Sequence, residues 1–221
     1  MEALRKTHNH CKRDLIQHWV QPGSMVLDCG CGRGGDWHKW KSISAHVFAI
    51  DPDGEALREA EERAIELNFG VWFLGQGTII QAAFAGPFDV ICYNFSIQYI
   101  MDDFENSIKA IDCALKSGGL LIGIAPDKSR ALSMGNEWGH YSDSLGNTFD
   151  VFAGGRRLMV KLADGPFYAD GPKEEPLLDF GVLIKALEKI GIILVVYEPM
   201  LSKPNGLISD VYSKFVFKKS K

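Results

Sequence analysis

Val26-Leu27-Asp28-Cys29-Gly30-Cys31-Gly32-Arg33-Gly34-Gly35-Asp36 is the stretch on which the reading of this chain turns. A short apolar run ends near an acidic residue, and glycines then crowd the turn before a helix opens around His38. Gly30, Gly32 and Gly35 satisfy G-x-G-x-x-G, which lets a backbone turn sharply after a strand and approach a ligand closely. Several nucleotide-binding folds share that pattern. The carboxylates of Asp28 and Asp36 narrow the choice, because at short range they would repel a pyrophosphate held on this loop. A ligand carrying ammonium and sulfonium charges would be attracted. The loop therefore reads as a site for S-adenosylmethionine rather than for a nicotinamide dinucleotide, and a nicotinamide oxidoreductase is disfavoured by Asp28.

Working outward, residues 25–29 form a strand, 38–41 lie in the helix behind the loop, and 46–50 form a second strand ending at Asp51. Asp53 caps a helix to about Leu67. This strand–helix alternation continues through strands at 70–74 and 88–93, a helix at 104–116 and a strand at 120–124 after the Gly118-Gly119 turn. A helix at 177–190 and strands at 192–198 and 211–217 close the chain, and a leading helix covers 2–20 up to the Pro22-Gly23 turn. The fold class is α/β with a mostly parallel sheet. Residues 126–176 break the pattern with Gly, Ser, Asn and scattered aromatics, and only one hairpin near Phe152 and 158–162 suggests itself. That stretch reads as a lid and substrate-facing insertion in one domain spanning 1–221.

The 46% apolar and 24% charged composition is that of an ordinary globular domain, and no apolar run approaches the roughly 20 residues that cross a bilayer. No membrane partner is expected. Five cysteines in no framework-like spacing suggest reduced thiols and an intracellular setting, and Cys29 and Cys31 lack further ligands for a metal. A net charge of −4 argues against indiscriminate binding to long nucleic acid but leaves room for a local groove that takes an RNA end.

Asp51 stands 23 residues after Asp28 at a strand end, where doubly wound folds place an acid on ribose hydroxyls, and adenine would lie near 76–79. The strand at 88–93 runs into Tyr93-Asn94-Phe95-Ser96-Ile97-Gln98-Tyr99 at the carboxyl edge of the sheet, the usual ligand crevice of an open α/β fold. Leu4-Arg-Lys-Thr-His-Asn-His-Cys-Lys12 with Leu15-Ile16, the run from Val26 to Trp40, and Phe88-Asp-Val with Asn94 to Tyr99 follow one another in order. Glu175-Pro-Leu-Leu and Asp210-Val-Tyr212 with Phe215-Val-Phe-Lys218 complete the series. In that order these motifs resemble those of the mRNA cap (guanine-N7) methyltransferases of the class I, S-adenosylmethionine-dependent group. Three positions depart from the pattern: His8 stands where Asn is expected, Asn94 where Gln is usual and Gln98 where His is usual.

The resemblance implies a Rossmann-like, mostly parallel seven-stranded sheet with an antiparallel C-terminal strand. It implies that Lys12, Asp28, Gly30, Gly32, Asp36, Asp51 and Asn94 hold S-adenosylmethionine: Lys12 the carboxylate, Asp36 the ammonium side, Asp51 the ribose. Phe95, Gln98, Tyr99, Glu175 and Tyr212 would form the cap pocket, with Arg33 and Arg63 meeting the triphosphate bridge. Guanine N7 already owns an in-plane lone pair, so no general base and no metal is expected; positioning is the catalyst. The same resemblance points to the C-terminal domain of a multifunctional viral capping enzyme. Its partners would be the capped 5′ end of mRNA and the triphosphatase and guanylyltransferase domains of a parent polypeptide, in the cytoplasm of an infected cell or packaged in the virion. A small-molecule methyltransferase and a catalytically silent regulatory module are the competing readings.

Overall fold

The computed structural model describes residues 2–163 and 171–221, and it explains why the apolar runs around 26–29, 47–50 and 90–93 are nearly continuous: both faces of one sheet are covered. From the N-terminus, α1 (Glu2–Trp19) leads into β1 (Met25–Cys29), α2 (Trp37–Ser42), β2 (His46–Asp51), α3 (Gly54–Glu66) and β3 (Val71–Gln76). Then come α4 (Ile79–Ala82), β4 (Phe88–Asn94), α5 (Phe104–Ala114) and β5 (Leu115–Pro126). Next are α6 (Lys128–Met134) and the strands β6 (His140–Ser142), β7 (Thr148–Phe152), β8 (Arg157–Lys161) and β9 (Lys173–Pro176). The chain closes with α7 (Phe180–Glu188), β10 (Ile192–Pro199) and β11 (Tyr212–Lys219).

Seven strands form the main sheet in the order β3-β2-β1-β4-β5-β11-β10, and β11 alone runs antiparallel to its neighbours. The expected sheet is thus the observed one. Alternation along each strand divides the core: Val26, Val90 and Ile122 meet Leu15, Ile16, Trp37 and Trp40 on one face. Leu27, Ile91 and Leu121 meet Ile111, Leu183 and Leu187 on the other. The carboxyl ends of β1, β2, β4 and β5 gather on one edge, and the candidate site lies there.

The insertion is more regular than its sequence suggests. The hairpin near Phe152 is present as β7–β8, with Phe152 opposite Arg157, but it belongs to a four-stranded antiparallel sheet, β6-β7-β8-β9. Phe149, Leu158, Val160 and Leu177 form its core with Ala131, with Ile208 and Val211, and with Leu4 from the first turn of α1. β6 has three residues and β9 reads Lys-Glu-Glu-Pro, so neither carries an apolar period long enough to recognise. Residues 164–170 of the expected insertion lie outside the described residues.

Two boundaries also move. β5 begins directly after α5, and Gly118-Gly119 lies within the strand, near the shift of its register against β4 between Phe88 and Val90. α7 begins at Phe180 rather than 177, because Asp179 caps it by accepting from the Val182 N–H, while Leu177 and Leu178 stay outside the helix. Among the described residues no helix is long and apolar enough to cross a membrane.

Candidate active site

Gly30 leaves β1 with φ +73°, and a Cβ on it would fall 2.5 Å from the Ser96 Cβ. Ser96 in turn donates its hydroxyl to the Cys29 carbonyl at 2.6 Å, so the loop after β4 is pressed onto the loop after β1. Gly32 and Gly34 also have positive φ, +52° and +68°, whereas Gly35 does not, and at Gly34 a Cβ would enter the Trp37 ring. Trp37 is fully buried and donates Nε1–H to the Ala60 carbonyl at 3.0 Å, which fixes it beneath the loop. Asp51 closes the loop from β2, accepting from the Gly32 N–H at 2.7 Å on one oxygen and from the Asp53 N–H at 2.9 Å on the other. A carboxylate has about four lone-pair directions, so Asp51 retains acceptor capacity toward the crevice.

Behind the loop lies a buried charge cluster. Asp36 is 7% exposed; its Oδ1 meets the Lys12 ammonium at 2.6 Å and the Lys39 ammonium at 2.7 Å, while Oδ2 accepts from Asn94 Nδ2 at 2.9 Å. Burial alone would raise its carboxyl, but the two ammoniums beside it hold it down at about 2. Lys39, 4% exposed, also donates to Asn9 Oδ1 and to the Gly35 carbonyl, and burial lowers its affinity for a proton. Asp28 sits 2% exposed with the Trp40 indole N–H on its Oδ2 at 2.9 Å. Burial first, and the nearby Asp36 second, push its carboxyl up to about 7.

A second cluster faces this one across the end of β4. Phe95 has the left-handed backbone, φ +66°, which an aromatic residue adopts at a cost of order 1–3 kcal/mol. Its ring is stacked against His8 with centroids 5.0 Å apart, and Tyr212 meets it edge-on at 5.0 Å and 89°. Lys12 Nζ stands 5.9 Å over the same ring. Gln98 is 1% exposed, and its Nε2 donates to the Phe95 carbonyl at 3.0 Å and to Glu175 Oε2 at 3.2 Å. Both partners are acceptors, so the amide has one orientation and Oε1 is an acceptor. Gln98 Oε1 and Asn94 Oδ1 are buried without a hydrogen-bond partner among the described residues. Tyr99 is half exposed at the rim; burial and Glu175 push its hydroxyl up to about 12, and burial, then Glu175 and Tyr99, raise that of Tyr212.

The structure therefore brings Lys12, Asp28, Gly30, Gly32, Asp36, Asp51 and Asn94 into one half of the crevice and Phe95, Gln98, Tyr99, Glu175 and Tyr212 into the other. Arg33 and Arg63 are not drawn into the second half. Arg33 pairs with Glu59 on α3 at 2.7 Å, and Arg63 lies one turn further on that helix, exposed to solvent. α3 packs on β2 and β3, which keeps both guanidiniums on the glycine-loop side. Asp36, expected beside a ligand ammonium, spends both oxygens on Lys12, Lys39 and Asn94. Sequence reasoning overlooked Lys39, Asn9, Trp40 and Gly34 as well as the ring contact of His8. The spacing held a signal for two of them: Lys39 follows Asp36 by three residues on a helix, and His8 precedes Lys12 by four.

Residues 26–119 match the family model described as "Methyltransferase domain". The chain is 31% identical over 140 residues to the mRNA cap guanine-N(7) methyltransferase of Eremothecium gossypii, covering 56% of this chain and 33% of that protein. Against the protein of the same name from Saccharomyces cerevisiae it is 29% identical over 140 residues, covering 56% of this chain and 32% of the relative. The match thus spans about a third of the length of these curated relatives. Among solved structures it is similar to a S-adenosylmethionine-dependent methyltransferase from Clostridium acetobutylicum, with TM-score 0.69, 18% identity and coverage of 98% of this chain and 92% of that one. It is also similar to the 1,6-didemethyltoxoflavin-N1-methyltransferase of Burkholderia thailandensis, with TM-score 0.63, 16% identity and coverage of 97% and 79%. The chain has the Rossmann-like fold of the S-adenosylmethionine-dependent methyltransferases.

Proposed function

We propose that this chain transfers a methyl group from S-adenosylmethionine to N7 of the guanine cap of mRNA. The observation that carries the acceptor assignment is the buried, unpartnered Gln98 Oε1 next to the half-buried Glu175 carboxylate, beside the right-angled rings of Phe95 and Tyr212. Guanine presents donors at N1 and N2 on one edge; adenine presents an acceptor at N1. A base that brings no donor to the buried Gln98 Oε1 leaves that oxygen without a partner and is disfavoured. The cap methyltransferase relatives support the same acceptor.

The residues of the other half fit the donor. The Lys12 ammonium suits a carboxylate, Asn94 Oδ1 is a buried acceptor for an ammonium, Asp51 suits ribose hydroxyls, and Gly32, whose Cβ position meets no protein atom within 4 Å, leaves the loop backbone open to a ligand. S-adenosylmethionine supplies the methyl group already activated on a sulfonium. N7 needs no deprotonation, so these residues act by orientation and exclusion of water, effects worth on the order of 7–11 kcal/mol when geometry is well fixed. Glu175 also places negative charge beside a base that becomes cationic. We extend the reading to a parent capping polypeptide with triphosphatase and guanylyltransferase domains, of viral type and acting in the cytoplasm or packaged in the virion, on the strength of the motif pattern alone.

Transfer of labelled methyl to GpppG-capped RNA tests the proposal, with release of m7GpppG after nuclease digestion as the expected product. A folded chain that binds S-adenosylmethionine and labels no capped RNA overturns the acceptor; one that does not bind the donor overturns the reading as a whole.

A further inference from the structure

We infer that His8 is a positioning residue for the acceptor pocket, setting the angle between Phe95 and Tyr212; this rests on the proposed cap reading. The geometry is a corner of three rings. His8 lies flat on Phe95 at 5.0 Å and 25°, meets Tyr212 at 5.5 Å and 76°, and Phe95 meets Tyr212 at 5.0 Å and 89°. One imidazole thus touches both walls. His8 Nε2 is hydrogen-bonded to Ser209 Oγ at 2.8 Å, and Ser209 is fully buried in the turn just ahead of β11, so the ring cannot rotate freely. Burial first and Lys12 second keep this imidazole neutral, with its proton affinity down at about 4, so it packs as an aromatic rather than as a cation.

Phe95 requires such a support. Its φ of +66° is a conformation that the surroundings must impose, and what surrounds it is the His8 ring on one side, the Gln98 side chain on its carbonyl and the Tyr212 edge. The three departures from the resembled pattern, His8, Asn94 and Gln98, all lie against or next to this one residue. Two of them form an exchange. The pattern has an amide at position 8 and an imidazole at position 98; here the imidazole is at 8 and the amide at 98.

The test compares His8→Ala, His8→Phe, His8→Asn and His8→Asn/Gln98→His by KM and kcat for GpppG-capped RNA, with calorimetric Kd for S-adenosylmethionine and thermal unfolding alongside. His8→Ala is expected to raise KM about tenfold with donor Kd within about twofold, and His8→Phe, which keeps the ring, to recover most of that loss. The double variant is expected to outperform His8→Asn, because the two exchanged positions compensate. Ring-proton shifts of Tyr212 should move in His8→Ala while amide shifts of 30–35 stay in place, a readout that needs no activity. A wild-type chain inactive on every cap would sink the cap reading yet leave this ring readout standing. An unchanged KM and unchanged Tyr212 shifts in folded His8→Ala, or His8→Phe no better than His8→Ala, overturns the inference.

Discussion

The two halves of the crevice are built on opposite plans. On the glycine-loop side, charge meets charge: Asp36 is closed off by Lys12, Lys39 and Asn94, and Asp51 is tied to Gly32 and Asp53. Around Phe95, rings meet rings and the buried amide oxygen of Gln98 is left over. The first half is ordered by interactions internal to the protein. The second keeps buried polar capacity in reserve, which costs stability unless another molecule satisfies it. A site of the first kind survives without its ligand, whereas a site of the second kind declares what the ligand must bring.

The contrast can be broken, and the largest lever is Asp36. Asp36→Ala strands two buried ammoniums, and we expect a loss of about 3–5 kcal/mol in denaturant unfolding together with loss of donor binding by calorimetry. Retained donor affinity would show that the charge cluster is scaffold only. On the ring side, Glu175→Gln should lower kcat/KM for capped RNA about 100-fold while donor Kd stays put, measured by initial rates over a range of cap concentration. A parallel loss of donor affinity would mean that the two halves do not work separately.

Asp28 gives a pH signature. Its folded carboxyl titrates at about 7 against an ordinary 3.8, so between those values the folded state holds a proton that the unfolded state has released. Stability therefore falls as pH rises through that window, and the full cost is present above it. Asp28→Asn, which keeps an acceptor for the Trp40 indole, should flatten unfolding free energy across pH 4–7 and add on the order of 1–3 kcal/mol at pH 8. The smallest effect belongs to Arg33→Ala. Its exposed pair with Glu59 should change stability by no more than about 1 kcal/mol, and a KM for capped RNA raised tenfold or more would return this arginine to the phosphate path.

The donor half was legible because its chemistry is local in sequence: Asp28, the glycines and Asp36 fall within one turn, and strand alternation with helices fixes where that turn sits. The half around Phe95 was legible only through resemblance, since its side chains come from four separate parts of the chain: α1, the segment after β4, β9 and the start of β11. The second sheet went mostly unread because β6 and β9 are three and four residues long and bury few side chains of their own. Lys39 went unread for another reason. A lysine on a short helix is ordinarily solvated, and only the fold shows that this one is 4% exposed with its ammonium on Asp36, Asn9 and the Gly35 carbonyl.

Leu4, His8 and Lys12 fall at intervals of four along α1, and each touches a different part of the molecule: the core of the second sheet, the ring corner and the Asp36 cluster. At about 1.5 Å rise and about 100° per residue, the helix sets Leu4 and Lys12 some 12 Å apart along its axis and about 80° apart around it. α1 is in this sense a ruler. It converts a count of residues into the separation between the group that would hold a methyl donor and the wall that would hold a base, so an inserted or deleted residue between His8 and Lys12 would rotate one end about 100° out of register with the other.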